Sequence, residues 1–343
     1  MEQVLSPKCI GKGPIRRGKK KIRRGIFFLY RDVFYMLFID LFAGAGGWSA
    51  GLREAGMEHV CGVELDKTAC ESYRANHTNI INKNISDVIL EDFEPYLRGR
   101  VLDVLVASPP CQSFSRACKN NAPTEADRLY VEVIRLAEML EPEWVVVENV
   151  PPFQTKILHD GDRLTAADDL TRQLMSAGYA RIESRVLLAS NYGVAQLRKR
   201  FILIARRSMG PPIPWPDFVS DYDISIARFL QNPEDVLPFY WMSHQKESYF
   251  MERMRTHPAH VRIVDPSRPA YTLLASYYKS RGSQALVRQD ARLRMLTELE
   301  LRRIMGFSDD YVLCGGHTAQ CRAVCNAVPP PMAFALGRAI MGA

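Results

Sequence analysis

Val104-Leu105-Val106-Ala107-Ser108-Pro109-Pro110-Cys111-Gln112-Ser113-Phe114-Ser115 is the stretch whose reading decides the fold. The apolar run from Val101 to Ala107, with Asp103 near its start, reads as a short buried strand of a parallel sheet. The proline pair ends that strand, because proline has no N–H to donate and the residue before it avoids the helical region. Cys111 then stands just past the carboxyl end of a strand, where open α/β sheets bind their ligands. A free cysteine is most often a small buried hydrophobe. The prolines, the polar flank and the strand-end position set this one apart.

Upstream, Phe38–Phe42 reads as a strand containing Asp40, followed by Ala43-Gly44-Ala45-Gly46-Gly47 and a helix from Trp48 to Ala55. A glycine-rich turn between strand and helix lets a ligand approach the backbone closely. A second strand, Val60–Glu64, ends in an acid suited to ribose hydroxyls. Ser49 stands where a dinucleotide fingerprint needs its third glycine, which argues against NAD. A helix over Lys67–Asn76 and a strand edge over Ile80–Ile85 follow. Downstream, a helix over Arg128–Leu140 leads to the buried strand Trp144–Val147, which delivers Glu148, Asn149 and Val150 before Pro151-Pro152. This alternation predicts a doubly wound, mostly parallel α/β sheet. A helix over 164–177 and a strand over Arg185–Ala189 continue it. Then Gln196, Arg198 and Arg200 alternate on one strand face leading into Phe201–Ala205. Residues 208–270 are rich in proline and aromatics without a βαβ rhythm, and helices return over Thr297–Met305 and Met332–Ile340.

The chain has 343 residues, 47% hydrophobic and 24% charged, which suits one or two water-soluble globular domains. Its net charge of +7 is a local property: residues 1–35 hold ten Lys/Arg against two acids, and the remainder holds 35 against 36. The basic leader is expected to be disordered or appended. Its apolar stretch, Ile26–Phe38, is interrupted by Arg31-Asp32 and too short to span a membrane. No signal-peptide cleavage site follows, so an intracellular setting is expected, in keeping with eight scattered cysteines. From Arg253 to Arg294, nine Lys/Arg face only Asp265 and Asp290, with Tyr271, Tyr277 and Tyr278 interleaved, a pattern that suits a phosphate backbone. Cys314, His317, Cys321 and Cys325 have a spacing open to zinc, but unligated thiols are preferred and no metal is expected.

From Met36 onward the sequence resembles the DNA (cytosine-5)-methyltransferases. Asp40–Gly47 looks like the S-adenosylmethionine loop, Glu64 with Asp66 like the ribose segment, and Pro109-Pro110-Cys111-Gln112 like the catalytic loop. Glu148-Asn149-Val150 looks like its acid partner. Gln196-x-Arg198-x-Arg200, Arg268–Leu273 and Asn326–Pro330 follow in the family's order. The resemblance implies that S-adenosylmethionine is held by Asp40, Phe42, Gly44, Gly46, Gly47, Glu64, Asn84, Pro109 and Asn326. It implies catalysis by Cys111, Glu148, Arg198 and Arg200, and contacts to double-stranded DNA from Gln112, Ser115, Gln196, Arg268 and Thr272. Residues 36–207, completed by about 322–343, would form the cofactor and catalytic domain. Residues 208–297 would form a small target-recognition domain, with 298–321 as a hinge.

The chemistry asks for these residue types independently. Cytosine C5 is a poor nucleophile until a thiolate adds to C6, and a nearby arginine favours the thiolate. An acid at N3 and an arginine at O2 would stabilise the charge that develops, on a base flipped out of the duplex. Three departures stand out. Asn84 replaces the family's usual aspartate, Leu65 replaces an aromatic, and Cys325 replaces a glycine that would matter if the site needs a positive φ. A tRNA methyltransferase of the same build is the enzymatic rival, and the absence of a Cys-Phe-Thr tripeptide favours DNA. A catalytically weakened DNA-binding relative is the other. A monomer is expected, with a cognate restriction endonuclease as a companion.

Overall fold

Alternating side chains build the centre of the molecule. In β1 (Leu37–Leu41), Leu37, Ile39 and Leu41 join one hydrophobic core while Phe38 joins another on the opposite face. The same period of two recurs wherever a strand is buried on both sides. The computed structural model describes residues 35–110, 128–157, 164–219, 222–257, 263–277 and 285–343. The basic leader, Cys111, Gln112, Ser115 and Tyr278 therefore lie outside the described residues.

After β1 come α1 (Gly47–Ala55), β2 (Glu58–Glu64), α2 (Lys67–His77), β3 (Ile80–Asn82), α3 (Glu94–Leu97), β4 (Val104–Ala107), α4 (Tyr130–Leu140) and β5 (Trp144–Asn149). Then follow α5 (Ala166–Ser176), β6 (Arg181–Leu188), β7 (Gln196–Leu197) and β8 (Lys199–Arg206). The seven-stranded sheet has the order β3-β2-β1-β4-β5-β8-β6. The strands from β3 to β5 pair in parallel, and β8 runs antiparallel between β5 and β6. Strand order reverses between β1 and β4, so a crevice opens at their carboxyl ends.

Two expected strands are shorter than their apolar runs. Val101 is 78% exposed, and pairing in β4 begins only at Val104, after Asp103 has accepted the Leu37 N–H at 2.7 Å. β3 stops at Asn82, because Asn84 caps a 3-10 turn by accepting the Ser86 N–H.

The remaining elements are α6 (His244–Thr256), β9 (Ile263–Val264), β10 (Ala270–Tyr271), β11 (Leu286–Gln289), β12 (Arg292–Met295), α7 (Glu298–Met305), α8 (His317–Asn326) and α9 (Pro330–Met341). One face of the main sheet is covered by α4 and α5, the other by α1 and α9. A separate core gathers Met242, Phe250, Leu273, Leu286, Leu293, Leu301 and Ile304 with Cys321, Val324 and Cys325. So α7 and α8 are built into this second core. α8 occupies part of the segment read as a hinge, and Cys325 lies in its last helical turn without a positive φ. The strain foreseen there does not arise.

The basic patch is also thinner than its sequence. Arg294 is wholly buried, making a bidentate pair with Glu300 at 2.6 and 2.8 Å, and Tyr277 is buried with its hydroxyl on the Ala285 carbonyl. Arg253, Arg255, Arg268, Arg288 and Arg292 remain exposed. Among the described residues no helix is long and apolar enough to cross a membrane.

Candidate active site

A cavity of about 920 Å³ lies at the strand-order reversal. Its walls come from the turn after β1, the ends of β2, β4 and β5, and the C-terminal segment before α9. Phe42, Gly44, Glu64, Asn84, Pro109 and Asn326 all line it. Glu64 is held by backbone: one carboxylate oxygen accepts the Gly44 N–H at 2.9 Å, the other the N–H groups of Leu65 and Asp66, both at 2.8 Å. A carboxylate has about four acceptor positions. Three are used, so Glu64 has room for one further donor such as a ribose hydroxyl. Asn82, which sequence reasoning missed, donates to the carbonyls of Glu64 and Leu65 and fixes that corner. Its side-chain amide at a strand end was the available signal. Leu65, 63% exposed, offers the cavity an aliphatic surface.

The glycine turn is braced from beneath. Gly46 has φ +93°, and a Cβ there would fall 2.5 Å from the His77 ring. At Gly47 a Cβ would meet the Val328 carbonyl at 2.1 Å. These two glycines admit packing partners, whereas a Cβ on Gly44 would meet nothing within 4 Å. Gly44 and Gly47 both line the cavity, Gly44 with side-chain space left for a ligand, and the expectation for Gly46 is corrected, since it is absent from the cavity wall.

Asp40 needs the same correction. Its carboxyl is buried under the turn, accepts the Ser49 hydroxyl at 2.8 Å, and is absent from the cavity wall. Burial pushes its pKa up to about 8. Ser49, the residue that breaks the dinucleotide fingerprint, is therefore a partner of the first strand. With Ser49 donating to Asp40, Tyr73 donates to Ser49 at 2.6 Å and His59 Nε2–H donates to Tyr73 at 2.8 Å.

A second chain of donors reaches the turn itself. Arg53 donates to His77 Nδ1 at 3.2 Å, so the His77 proton sits on Nε2 and is donated to the Tyr311 hydroxyl at 2.8 Å. Tyr311 donates in turn to the Ala45 carbonyl. Burial, with His59 and Arg53 nearby, lowers the His77 pKa to about 3, and burial first of all lowers that of His59 to about 4. Both rings are neutral struts.

On the opposite wall, Glu148 at the end of β5 accepts Arg200 Nε at 2.7 Å, both side chains being nearly buried. Arg200 also donates to the Lys199 carbonyl at 2.7 Å. Asn149 donates to the Pro109 carbonyl at 3.1 Å, and the Trp48 indole donates to Ser108 at 3.0 Å, so the proline loop is tied on two sides. Cys111 follows Pro110 in sequence. The expected alternation of Gln196, Arg198 and Arg200 is present, but β7 and β8 break at Arg198 and the shared face points inward.

Arg198 donates to the carbonyls of Cys325 at 2.8 Å, Ala327 at 3.1 Å and Leu273 at 3.4 Å. These three bonds brace the cavity wall, which Arg198 also lines. Gln196 is wholly buried, accepting the Leu273 N–H at 3.0 Å and donating to Met305 sulfur at 3.1 Å. It presents no surface to DNA, contrary to expectation. Arg268 is exposed beside Asp265, and the Thr272 hydroxyl donates to the Leu197 carbonyl at 2.8 Å.

Residues 36–342 match the family described as C-5 cytosine-specific DNA methylase. The chain belongs to that family. It is 30% identical over 340 residues to the type II methyltransferase M1.HphI of Haemophilus parahaemolyticus, covering 92% of this chain and 90% of that one. It is 29% identical over 328 residues to M.NgoMIV of Neisseria gonorrhoeae, with 89% and 97% covered. The crystal structure of S. pombe Dnmt2 methyltransferase superposes with a TM-score of 0.70 at 18% identity, over 90% of this chain and 99% of that one. Entamoeba histolytica methyltransferase EhMeth gives 0.69 at 16%, with 90% and 97% covered. As a C-5 cytosine-specific DNA methylase, the protein transfers a methyl group from S-adenosylmethionine to cytosine C5 in DNA. The cavity suits that cofactor: a fixed carboxylate faces Gly44, whose missing side chain leaves a cradle.

Proposed function

We propose that methyl transfer proceeds at the wall formed by the Pro109-Pro110 loop, Glu148 and Arg200, with Cys111 as the nucleophile. The observation that carries this reading is the nearly buried Glu148–Arg200 pair beside that loop in the crevice of the sheet. The Cys111 thiolate adds to cytosine C6, which makes C5 electron-rich. Charge moves toward N3 and O2 of the base. Glu148 holds the N3 and amino edge, and Arg200, which lines the cavity with its Nε on Glu148, stabilises O2. S-adenosylmethionine supplies an electrophilic methyl group when bound. Glu64 would hold its ribose, Asn84 and Leu65 its adenine, and Gly44, Pro109 and Asn326 the rest of the cavity. A base then removes the C5 proton and Cys111 is expelled.

Replacing Cys111 by Ser tests the nucleophile. The variant is expected to keep S-adenosylmethionine binding, lose methylation, and fail to form the covalent complex that wild type forms with a duplex containing 5-fluorocytosine. Trapping at the wild-type level would refute the assignment.

Residues 208–297 are proposed as the target-recognition unit; the second core they contribute to also takes in 298–321 and the start of 322–343, to which Arg198 ties Leu273. Exposed Arg268 and half-buried Thr272, with Gln112 and Ser115 of the catalytic loop, are proposed to meet double-stranded DNA. The type II names of the relatives favour a modification enzyme with a cognate restriction endonuclease, proposed to act as an intracellular monomer.

A further inference from the structure

Asp66 and Arg322 face each other across the cavity. Both line it, and Arg322 Nη2 lies 3.1 Å from Asp66 Oδ2 although 256 residues separate them. Asp66 belongs to the sheet side: its Oδ1 caps α2 by accepting the Ala69 N–H at 2.9 Å, leaving Oδ2 to reach outward. Arg322 stands on α8, whose Cys321, Val324 and Cys325 are packed into the second core. The ion pair thus joins the two cores at the cavity rim.

Beside the His77–Tyr311 contact, short side chains on backbone hold that seam. Asn76 donates to the Val312 carbonyl at 2.8 Å and accepts its N–H at 3.0 Å, and Ser72 accepts the Cys314 N–H at 2.9 Å. Gly315, at φ +84°, then turns the chain and α8 begins after Gly316. Beyond that turn, charge spans the seam.

We propose that Arg322 and Asp66 form a latch that sets how long S-adenosylmethionine, and the demethylated product, stay in the cavity. The proposal rests on reading the cavity as the cofactor site. The latch lines the same cavity as Glu64, two residues before Asp66 in sequence, and Asn326, four residues after Arg322. Its side chains are 54% and 46% exposed, so water and salt compete for both ends. An exposed pair of this kind shifts an equilibrium by a factor of about 1.5–5. That is weak enough to open in every catalytic cycle and strong enough to bias the closed form. A buried pair would instead resist opening, because breaking it strands a charge.

The test is the release rate of S-adenosylhomocysteine from the full chain, read by stopped-flow fluorescence of Trp48, which lines the cavity. Arg322→Gln and Asp66→Asn are each expected to release it about 1.5–5 times faster than wild type at low salt. Asparagine keeps the oxygen that caps α2. The double variant should be no faster than either single one, and Arg322→Lys should recover part of the wild-type rate. Raising ionic strength should speed wild type toward the variants and leave the variants unmoved. Unchanged release in both single variants, or effects that add in the double variant, would overturn the latch. Glu64→Ala separates the two readings: if it binds S-adenosylhomocysteine as wild type does, the cofactor assignment of the cavity fails instead.

Discussion

Asp40 shows how a polar residue at a strand end becomes a strut. It shares the strand face of Phe38 beneath α1, where its carboxyl meets Ser49 and one oxygen, Oδ1, has no hydrogen-bond partner. Burial favours the neutral acid, and its pKa is pushed from 3.8 up to about 8. The unfolded chain ionises Asp40 near pH 4, while the folded chain resists until about pH 8. Asp40 therefore costs stability increasingly as pH rises through that window. Asp40→Asn keeps an acceptor for Ser49 and removes the titration. The variant's thermal midpoint, relative to wild type, is expected to climb between pH 4 and pH 8 and level off above. His59 and His77 titrate in both proteins and cancel in the difference. A difference that stays flat with pH would show that Asp40 is ionised in the folded protein.

At the scale of elements, the glycine turn depends on a segment more than 260 residues away. Tyr311 precedes α8 and passes a proton-donor chain from Arg53 and His77 to the Ala45 carbonyl. Tyr311→Phe removes one donor and one acceptor together, leaving the Ala45 carbonyl and His77 Nε2–H unmet in a buried place. The expected cost is about 1–3 kcal/mol of stability. Because the turn carries Gly44, cofactor affinity should fall while turnover at saturating S-adenosylmethionine changes little. Calorimetry of S-adenosylhomocysteine binding and the thermal midpoint measure both effects. A loss of turnover without a loss of affinity would place the role of Tyr311 elsewhere. The same physics explains Ser49: a third glycine would pack, but only a hydroxyl can bridge Asp40 and Tyr73.

For the whole molecule, the decisive residue is Arg198. It sits where β7 leaves for its two-stranded pairing with β10 and β8 enters the main sheet. From there it holds carbonyls at Leu273, Cys325 and Ala327, gathering the second core and the start of the C-terminal return around one guanidinium. Arg198→Met keeps the apolar stem but leaves three inward carbonyls without their donor. It should destabilise the protein by about 3 kcal/mol and split a single unfolding transition into two. Calorimetric and denaturant melts followed by separate probes would reveal the split. A single coincident transition at the wild-type midpoint would show that the cores hold together without it.

The order of strands and helices from Met36 to Ala205, apart from the short α3, was legible in sequence, because period-two burial and proline stops act over a few residues. Glu64, Gly44, Pro109 and Glu148 were legible for a related reason: each ends a buried strand on the side where an open sheet binds ligands. Which polar residues turn inward was not. Arg294, Tyr277, Gln196 and Arg198 carry the marks of a surface face, yet each is buried because Glu300, the Ala285 carbonyl, the Leu273 amide and the Cys325 carbonyl wait there. α8 was hidden by its small and polar residues, which become a helix with a buried face only against α7 and the second core. Local chain chemistry determined the elements and the cavity's position. The partners of buried polar groups were decided by tertiary contact, since desolvation is compensated only by groups that arrive from distant sequence.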